Sequence, residues 1–284
     1  MLSNGNAIQE RCGTLIVWGT AGLTTMVFLW LLGDLLRHGL SHISWTFLVS
    51  APQDAGRAGG IGPMIISTGL LVGICMTVAF PISLGTAIFL AEYTRDDHPL
   101  GRFLRGSLDV LAGVPSIVFG LFGNALFCHA LGLGFSIVSG GLTLACMVLP
   151  ILIRTTEEGF RTIPREQRLS AAALGLSRQT TVRAVLLPAA IPGLLVGSIL
   201  GLGRASAETA ALIFTSGYVD RMPESVMDSG RALSVHIYDL AMNVAGGNPN
   251  AYATAVVLVG LLFIINLFAS WIAERWTTFN RLPA

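Results

Sequence analysis

Six long apolar runs constrain this chain more than any other feature. They cover roughly residues 14–36, 63–91, 110–130, 135–153, 189–215 and 251–272. A helix needs about 20 mostly apolar residues to cross a ~30 Å hydrocarbon core. Lipid offers backbone polar groups no partner, so a spanning segment must satisfy them within a helix or a closed barrel. The expected fold is therefore an all-α integral membrane protein with six transmembrane helices. Composition agrees: 53% of residues are hydrophobic and 12% charged, against about 25% charged in soluble domains. The first run is too long for a signal-peptide core, and no small-residue cleavage site follows it, so it counts as a span. The second, at ~29 residues, would measure about 43 Å, so it either kinks at Pro81 or projects from the bilayer. Leu131-Gly132-Leu133-Gly134 joins the third and fourth as a tight helical hairpin.

Arginine placement sets the expected orientation. With the N-terminus inside, cytoplasmic segments carry twelve arginines and external segments four, Arg37, Arg57, Arg221 and Arg231. Both termini are thus expected in the cytoplasm. Residues 1–13 read as a cytoplasmic N-terminal segment and 14–284 as one transmembrane domain.

All 17 basic residues are Arg, and the chain has no Lys. A Walker A loop needs its Lys to reach nucleotide phosphates, so that mode of ATP binding is excluded, and Schiff-base chemistry lacks its nucleophile. A net charge of +1 gives no reason to expect a nucleic-acid partner. Cys12, Cys75, Cys128 and Cys146 have no metal-ligand spacing, and neither H-E-x-x-H nor G-x-S-x-G occurs. No catalytic residue, metal or cofactor is expected. An intramembrane enzyme would need convergent polar groups within spans, and only Arg204 and Glu208 meet that test.

Two connections are long: 154–188 on the cytoplasmic side and 216–250 on the external side. In the first, Pro164 suits a helix start, a helix runs through Arg165–Leu174, and Gly175 stops it. Ser177 can cap a second short helix ending near Pro188. Leu169, Ala172 and Ala173 form an apolar stripe that fits either a cleft on another protein or the lipid headgroup region.

The run from Leu169 to Pro188 resembles the EAA loop of ABC importer permeases. Ala171, Gly175, Leu187 and Pro188 match at the family's spacing, while Leu169 and Ser170 stand where that pattern has Glu and Ala. Further stretches are similar, in order, to PstA-type permeases of phosphate ABC importers. They are Gly59-Gly60-Ile61-Gly62-Pro63 with Thr68, Pro81–Gly85 leading to Leu90–Tyr93, Val114–Gly120, Gly203–Ala210 and Ser234–Tyr238. The resemblance implies a permease subunit that forms half of a phosphate path by alternating access in the inner membrane. Its partners would be a second, homologous permease subunit, two cytoplasmic ATPase subunits and a periplasmic or surface phosphate-binding protein. The helix near 164–174 would be the coupling helix, with Arg168, Ala171, Gly175, Leu187 and Pro188 at the ATPase contact. Permeases for sulfate or molybdate are the nearest alternative, and a stand-alone ion-coupled carrier is a further one.

The fifth run holds two patterns. Gly193, Gly197 and Gly201 recur every four residues, as does Ala205, a small-residue face that admits a close helix, from a neighbouring span or the partner permease. Arg204 and Glu208 are four apart, so they are expected on one helix face as a mutual ion pair towards the protein interior. With Thr209 they are the expected substrate-pathway residues. A guanidinium suits phosphate, and the pair is either a transient contact or gate in transit or a structural bridge between spans.

Overall fold

The computed structural model describes the backbone of residues 4–95 and 97–279, and the side chains of 13–95, 97–271 and 275. Residues 1–3 of the N-terminal segment and the side chain of Cys12 lie outside that range. In chain order the helices are α1 (Asn4–Gly39), α2 (Trp45–Val49), α3 (Gly62–Ile88), α4 (Pro99–Ala112), α5 (Ser116–Gly123) and α6 (Ile137–Arg161). There follow α7 (Arg165–Ala173), α8 (Arg178–Thr181), α9 (Leu187–Ser206), α10 (Ala210–Ile213), α11 (Leu233–Met242) and α12 (Asn248–Phe279). A short antiparallel pair, β1 (Pro52–Gln53) and β2 (Ala58–Gly59), lies between α2 and α3. Wider π-type turns prolong α3 through Tyr93 and α5 through Ala130, and they join α8 to α9 across Val182–Leu186.

Among the described residues, five helices are long and apolar enough to cross a membrane: Gly13–His42, Gly62–Tyr93, Ile137–Arg161, Arg178–Ser206 and Asn248–Trp271. The sixth expected span, 110–130, is not one straight helix. α4 and the prolonged α5 meet at a 100° bend. Gly113 closes α4, and Pro115 excludes Val114 from the helical region. The part after the bend, 116–130, is only about 22 Å long. α4 itself carries Arg102, Arg105 and Asp109 on one stripe and Leu104, Leu108 and Leu111 on another, the pattern of a helix at a polar–apolar boundary.

The second expected run, 63–91, is one span with Pro81 inside it, Gly62–Tyr93. Two further boundaries differ from the expected ones. α6 runs beyond residue 153 to Arg161, so the expected loop 154–188 is almost entirely helical. The short helix capped by Ser177, whose Oγ accepts from Thr180 N at 3.2 Å, does not end near Pro188 but enters α9. Pro188 lacks the N–H that would close an α-helical turn, and the π-type turns just before it absorb the misfit.

α3, α6 and α9 form the centre of the bundle. Leu71 and Cys75 of α3 are buried against Leu144, Val148 and Leu152 of α6. Gly141 permits the α3–α6 approach, since a Cβ there would lie 2.7 Å from Ile74. The stripe Gly193, Gly197 and Gly201 packs on α6 of the same chain: a Cβ at Gly193 would lie 2.6 Å from the Cα of Gly159. Gly197 faces Thr155, and Gly201 faces Val148 and Leu152. α1 leans on α12 through Gly39, against Tyr252 and Val256. Apolar side chains along α1, among them Leu15, Trp18 and Phe28, are exposed, as a lipid-facing surface would be.

Candidate functional site

The expected pathway residues meet a break rather than an unbroken helix. α9 ends at Ser206, so Arg204 is helical but Glu208 is not. No ion pair joins the two among the described residues. Glu208 instead turns to the next element: its Oε1 accepts from Ala211 N at 3.3 Å, capping α10, and its carbonyl accepts from Ser234 Oγ at 2.6 Å. Thr209 is the residue before α10, within the same break. The expected span 189–215 is therefore α9, a break at 207–209 and the one-turn helix α10.

Irregular backbone in a membrane protein must be satisfied by protein groups, and here it is. Asn124 Nδ2 donates to Phe214 O at 2.7 Å, and Ser136 N donates to Thr215 O at 3.1 Å. Ser229 Oγ and Gly230 N donate to Ser216 O at 2.9 and 3.0 Å. Thr215 and Ser216 are fully buried. α11 closes over the break from the other side, where Leu233 N donates to Thr68 Oγ1 of α3 at 2.9 Å. The long connection 216–250 thus packs back onto the break through α11.

Arg204 is exposed on the isolated chain and shares a cleft of about 260 Å³ with Arg154 of α6, between apolar walls that include Phe119, Met147, Pro150 and Ile151. The glycine stripe fixes the register of the two helices. Gly201 lies opposite Val148 and Leu152, and Gly197 lies opposite Thr155. Arg204 therefore stands roughly two helical turns, or about 10 Å, along the bundle from Arg154. The cleft thus holds two guanidinium groups between otherwise apolar walls, and a guanidinium has the geometry to bind an oxyanion through two parallel hydrogen bonds.

Below Arg154 lies a cluster that residue spacing alone did not single out. Glu157 is 3% exposed, and its Oε1 accepts from Arg105 Nε at 2.8 Å and from Arg161 Nε at 3.0 Å. Arg154 is ion-paired to Asp109 of α4 and donates to Arg105 O at 3.0 Å. The available signal was Arg154, Glu157, Glu158 and Arg161 at helical spacing beyond a run taken to end at 153.

At the arginine-rich end, Arg168 does not project from α7 but turns back to the bundle. It pairs with Glu92 at 2.6 Å and donates to Phe160 O and Ile163 O at 2.8 and 2.7 Å. Ala171 is the buried residue of α7. Gly175 adopts a φ of +71°, and its N–H donates to Ala172 O at 3.0 Å, ending the helix in a conformation that glycine takes without strain. Leu187 and Pro188 are half-buried in the first turn of α9. Leu169, Ala172 and Ala173 are exposed, and so are Leu174 and Leu176, so α7 and the turn after it present an apolar knob.

At the opposite end, Arg231 pairs with Asp239 at 3.0 Å and stands 3.4 Å from Nδ1 of His236. Burial, reinforced by Arg231, pushes the His236 imidazole down to about 4. The backbone N–H groups of Glu224 and Ser225 hold the Asp228 carboxyl below its ordinary range. No group of three or more potential metal ligands occurs among the described residues.

Residues 83–278 match the family described as binding-protein-dependent transport system inner membrane component. The chain is 32% identical to the probable ABC transporter permease protein YqgI of Bacillus subtilis (strain 168), over 93% of this chain and 95% of that one. It is 31% identical to the phosphate transport system permease protein PstA 1 of Mycobacterium tuberculosis (strain H37Rv), over 97% of this chain and 91% of that one. Among solved structures, a bacterial alginate ABC transporter in complex with its alginate-bound periplasmic protein has a TM-score of 0.67 at 14% identity, over 94% of this chain and 96% of that chain. The MetNI methionine ABC transporter, inward facing, has a TM-score of 0.58 at 17% identity, over 76% and 94%.

Proposed function

The chain belongs to the binding-protein-dependent transport system inner membrane component family and is an ABC transporter permease subunit of the inner membrane; we propose that its cargo is inorganic phosphate. The observation that carries this reading is the shared cleft of Arg204 and Arg154, which offers two guanidinium groups within apolar walls. Similarity to a phosphate transport permease over 97% of the chain supports it.

In this reading the arginine-rich end faces the cytoplasm. α7 with Leu169, Leu174 and Leu176 docks on one of two ATPase subunits, which hydrolyse ATP in this chain's stead. A second, homologous permease supplies the other half of the path. The α11 end faces a phosphate-binding protein. Arg204 is a transient contact or gate: a tight permanent site would trap a cargo that must be released. The break at 207–209 is where the path can widen, because a helix end rearranges at lower cost than the middle of a packed helix.

The guanidinium cleft would also accept sulfate or molybdate, and one experiment separates the cases. Labelled-phosphate uptake at low external concentration is compared in cells lacking the chain and cells with it restored, with excess sulfate or molybdate as competitors. Uptake that returns with the chain and resists both competitors supports phosphate. Chain-dependent uptake that either competitor suppresses moves the substrate to another oxyanion, and uptake independent of the chain ends the phosphate reading.

A further inference from the structure

A cavity of about 550 Å³ opens at the arginine-rich end of α6, lined by Arg105, Arg154, Thr155, Glu157, Glu158 and Arg161. Its least ordinary feature is one atom. Oε2 of the buried Glu157 has no hydrogen-bond partner, and Arg154 Nη1 stands 3.8 Å from it. Oε1 of the same carboxylate takes bonds from both Arg105 and Arg161. A buried carboxylate oxygen left bare is costly, so its retention beside a cavity points to a donor that arrives from outside the chain.

The chemistry of that donor is constrained. Oε2 only accepts, whereas the arginines around it only donate. A ligand that fits both must donate one hydrogen bond and accept several. A fully deprotonated oxyanion fails, because one of its oxygens would face Oε2 acceptor to acceptor. A protonated oxyanion succeeds: its O–H donates to Oε2 while its other oxygens face the guanidinium groups of Arg154 and Arg161. Phosphate keeps at least one proton near neutral pH, and sulfate keeps none.

We infer that Glu157 and Arg154 form a second oxyanion site at the cytoplasmic mouth of the path, one that selects phosphate by its proton. The inference rests on the phosphate reading and deepens it. Arg154 belongs to both this cavity and the cleft with Arg204. An anion leaving Arg204 therefore meets Arg154 first and the proton-reading carboxylate next. Asp109, paired to Arg154 from α4, keeps the guanidinium at the junction of the two spaces.

The test uses the permease assembled with its partner subunits in nanodiscs, without the binding protein, at about pH 8, where phosphate still keeps one proton. Bound labelled phosphate is displaced with unlabelled phosphate, sulfate or monofluorophosphate. Monofluorophosphate matches hydrogen phosphate in charge and nearly in size but carries no proton. Unlabelled phosphate is expected to displace the label at a concentration about tenfold or more below the other two, because a site built to accept a hydrogen bond rejects analogues that lack the donor. In Glu157→Gln the amide offers an N–H of its own, and the three competitors are expected to converge. Equal displacement by all three on the unaltered complex overturns the inference, as does an absence of bound phosphate or undiminished discrimination in an assembled Glu157→Gln complex. If that variant does not assemble, the comparison of competitors on the unaltered complex decides alone. Chain-dependent phosphate uptake without proton discrimination would overturn this site and leave the phosphate reading standing. Absence of such uptake would overturn both.

Discussion

Arg168 on α7 and Glu92 at the end of the α3 span are joined by a two-pronged ion pair, with Arg168 Nη2 at 2.6 Å and Nε at 3.2 Å from Glu92 Oε1. The same guanidinium donates to the carbonyls of Phe160 and Ile163. One side chain thus ties the short helix to both α3 and the end of α6. In an ABC permease whose ATPases push on α7, that strut would carry the displacement into the central helices.

Arg168→Ala should therefore uncouple the machine rather than unfold it. Substrate uptake is expected to fall about tenfold or more while the ATPase activity of the assembled complex persists. Arg168→Lys should recover only part of the uptake, because one ammonium group cannot reach the carboxylate and both carbonyls as a planar guanidinium does. Unchanged uptake in Arg168→Ala would remove the strut from the mechanism.

Arg204→Gln tests the pathway. It is expected to abolish transport and leave the complex assembled, as judged by co-purification of the partner subunits. The absence of an Arg204–Glu208 bridge among the described residues favours that outcome. Loss of assembly would instead make Arg204 a structural residue.

The spans and the fold class were legible because hydropathy and span length act locally. The α7 stop at Gly175 and the cap at Ser177 are legible for the same reason: each needs only a few consecutive residues. The bend at Val114-Pro115 carried a local signal, a residue held extended before proline, but the apolar run across it masked that signal. The end of α9 at Ser206 had no comparable mark. Gly203–Thr209 contains no proline; the break is held from afar by Ser234, and the chain just after α10 by Asn124 and Ser136. Glu157 was hidden for a third reason. Its partner Arg105 is 52 residues away in sequence, and such pairings are set by tertiary packing.

Gly193→Leu should separate α9 from α6. A Cβ at Gly193 already lies 2.6 Å from the Cα of Gly159, where only backbone could yield. Overpacking of this kind costs about 1–3 kcal/mol or more, so the thermal midpoint of the purified protein should fall and less complex should be recovered. Gly203→Ala on the same helix is the control, because no neighbour lies within 4 Å of its Cβ position. A stable Gly193→Leu protein would show that the two helices do not touch there in the membrane.

The closure of α11 over the break should depend on pH. His236 is buried, and its imidazole is pushed down to about 4 from an ordinary 6.5. The groups facing it are Arg231, Asp239 and the more distant Asp220. A lowered pKa means that the packed form prefers the neutral ring, so an opened α11 binds more protons between about 6.5 and 4. Packing is thus fully favourable above about 6.5 and weakens as pH falls through that window. The loss by the lower end approaches roughly 3 kcal/mol at 1.36 kcal/mol per pKa unit. The protection of residues 233–242 against hydrogen exchange, taken relative to the intrinsic rate at each pH, should fall on acidification from neutral pH. In His236→Gln, which cannot titrate, that fall in protection should vanish. An equal fall in the two proteins would place the acid sensitivity elsewhere, with the Arg231–Asp239 pair the next group to test.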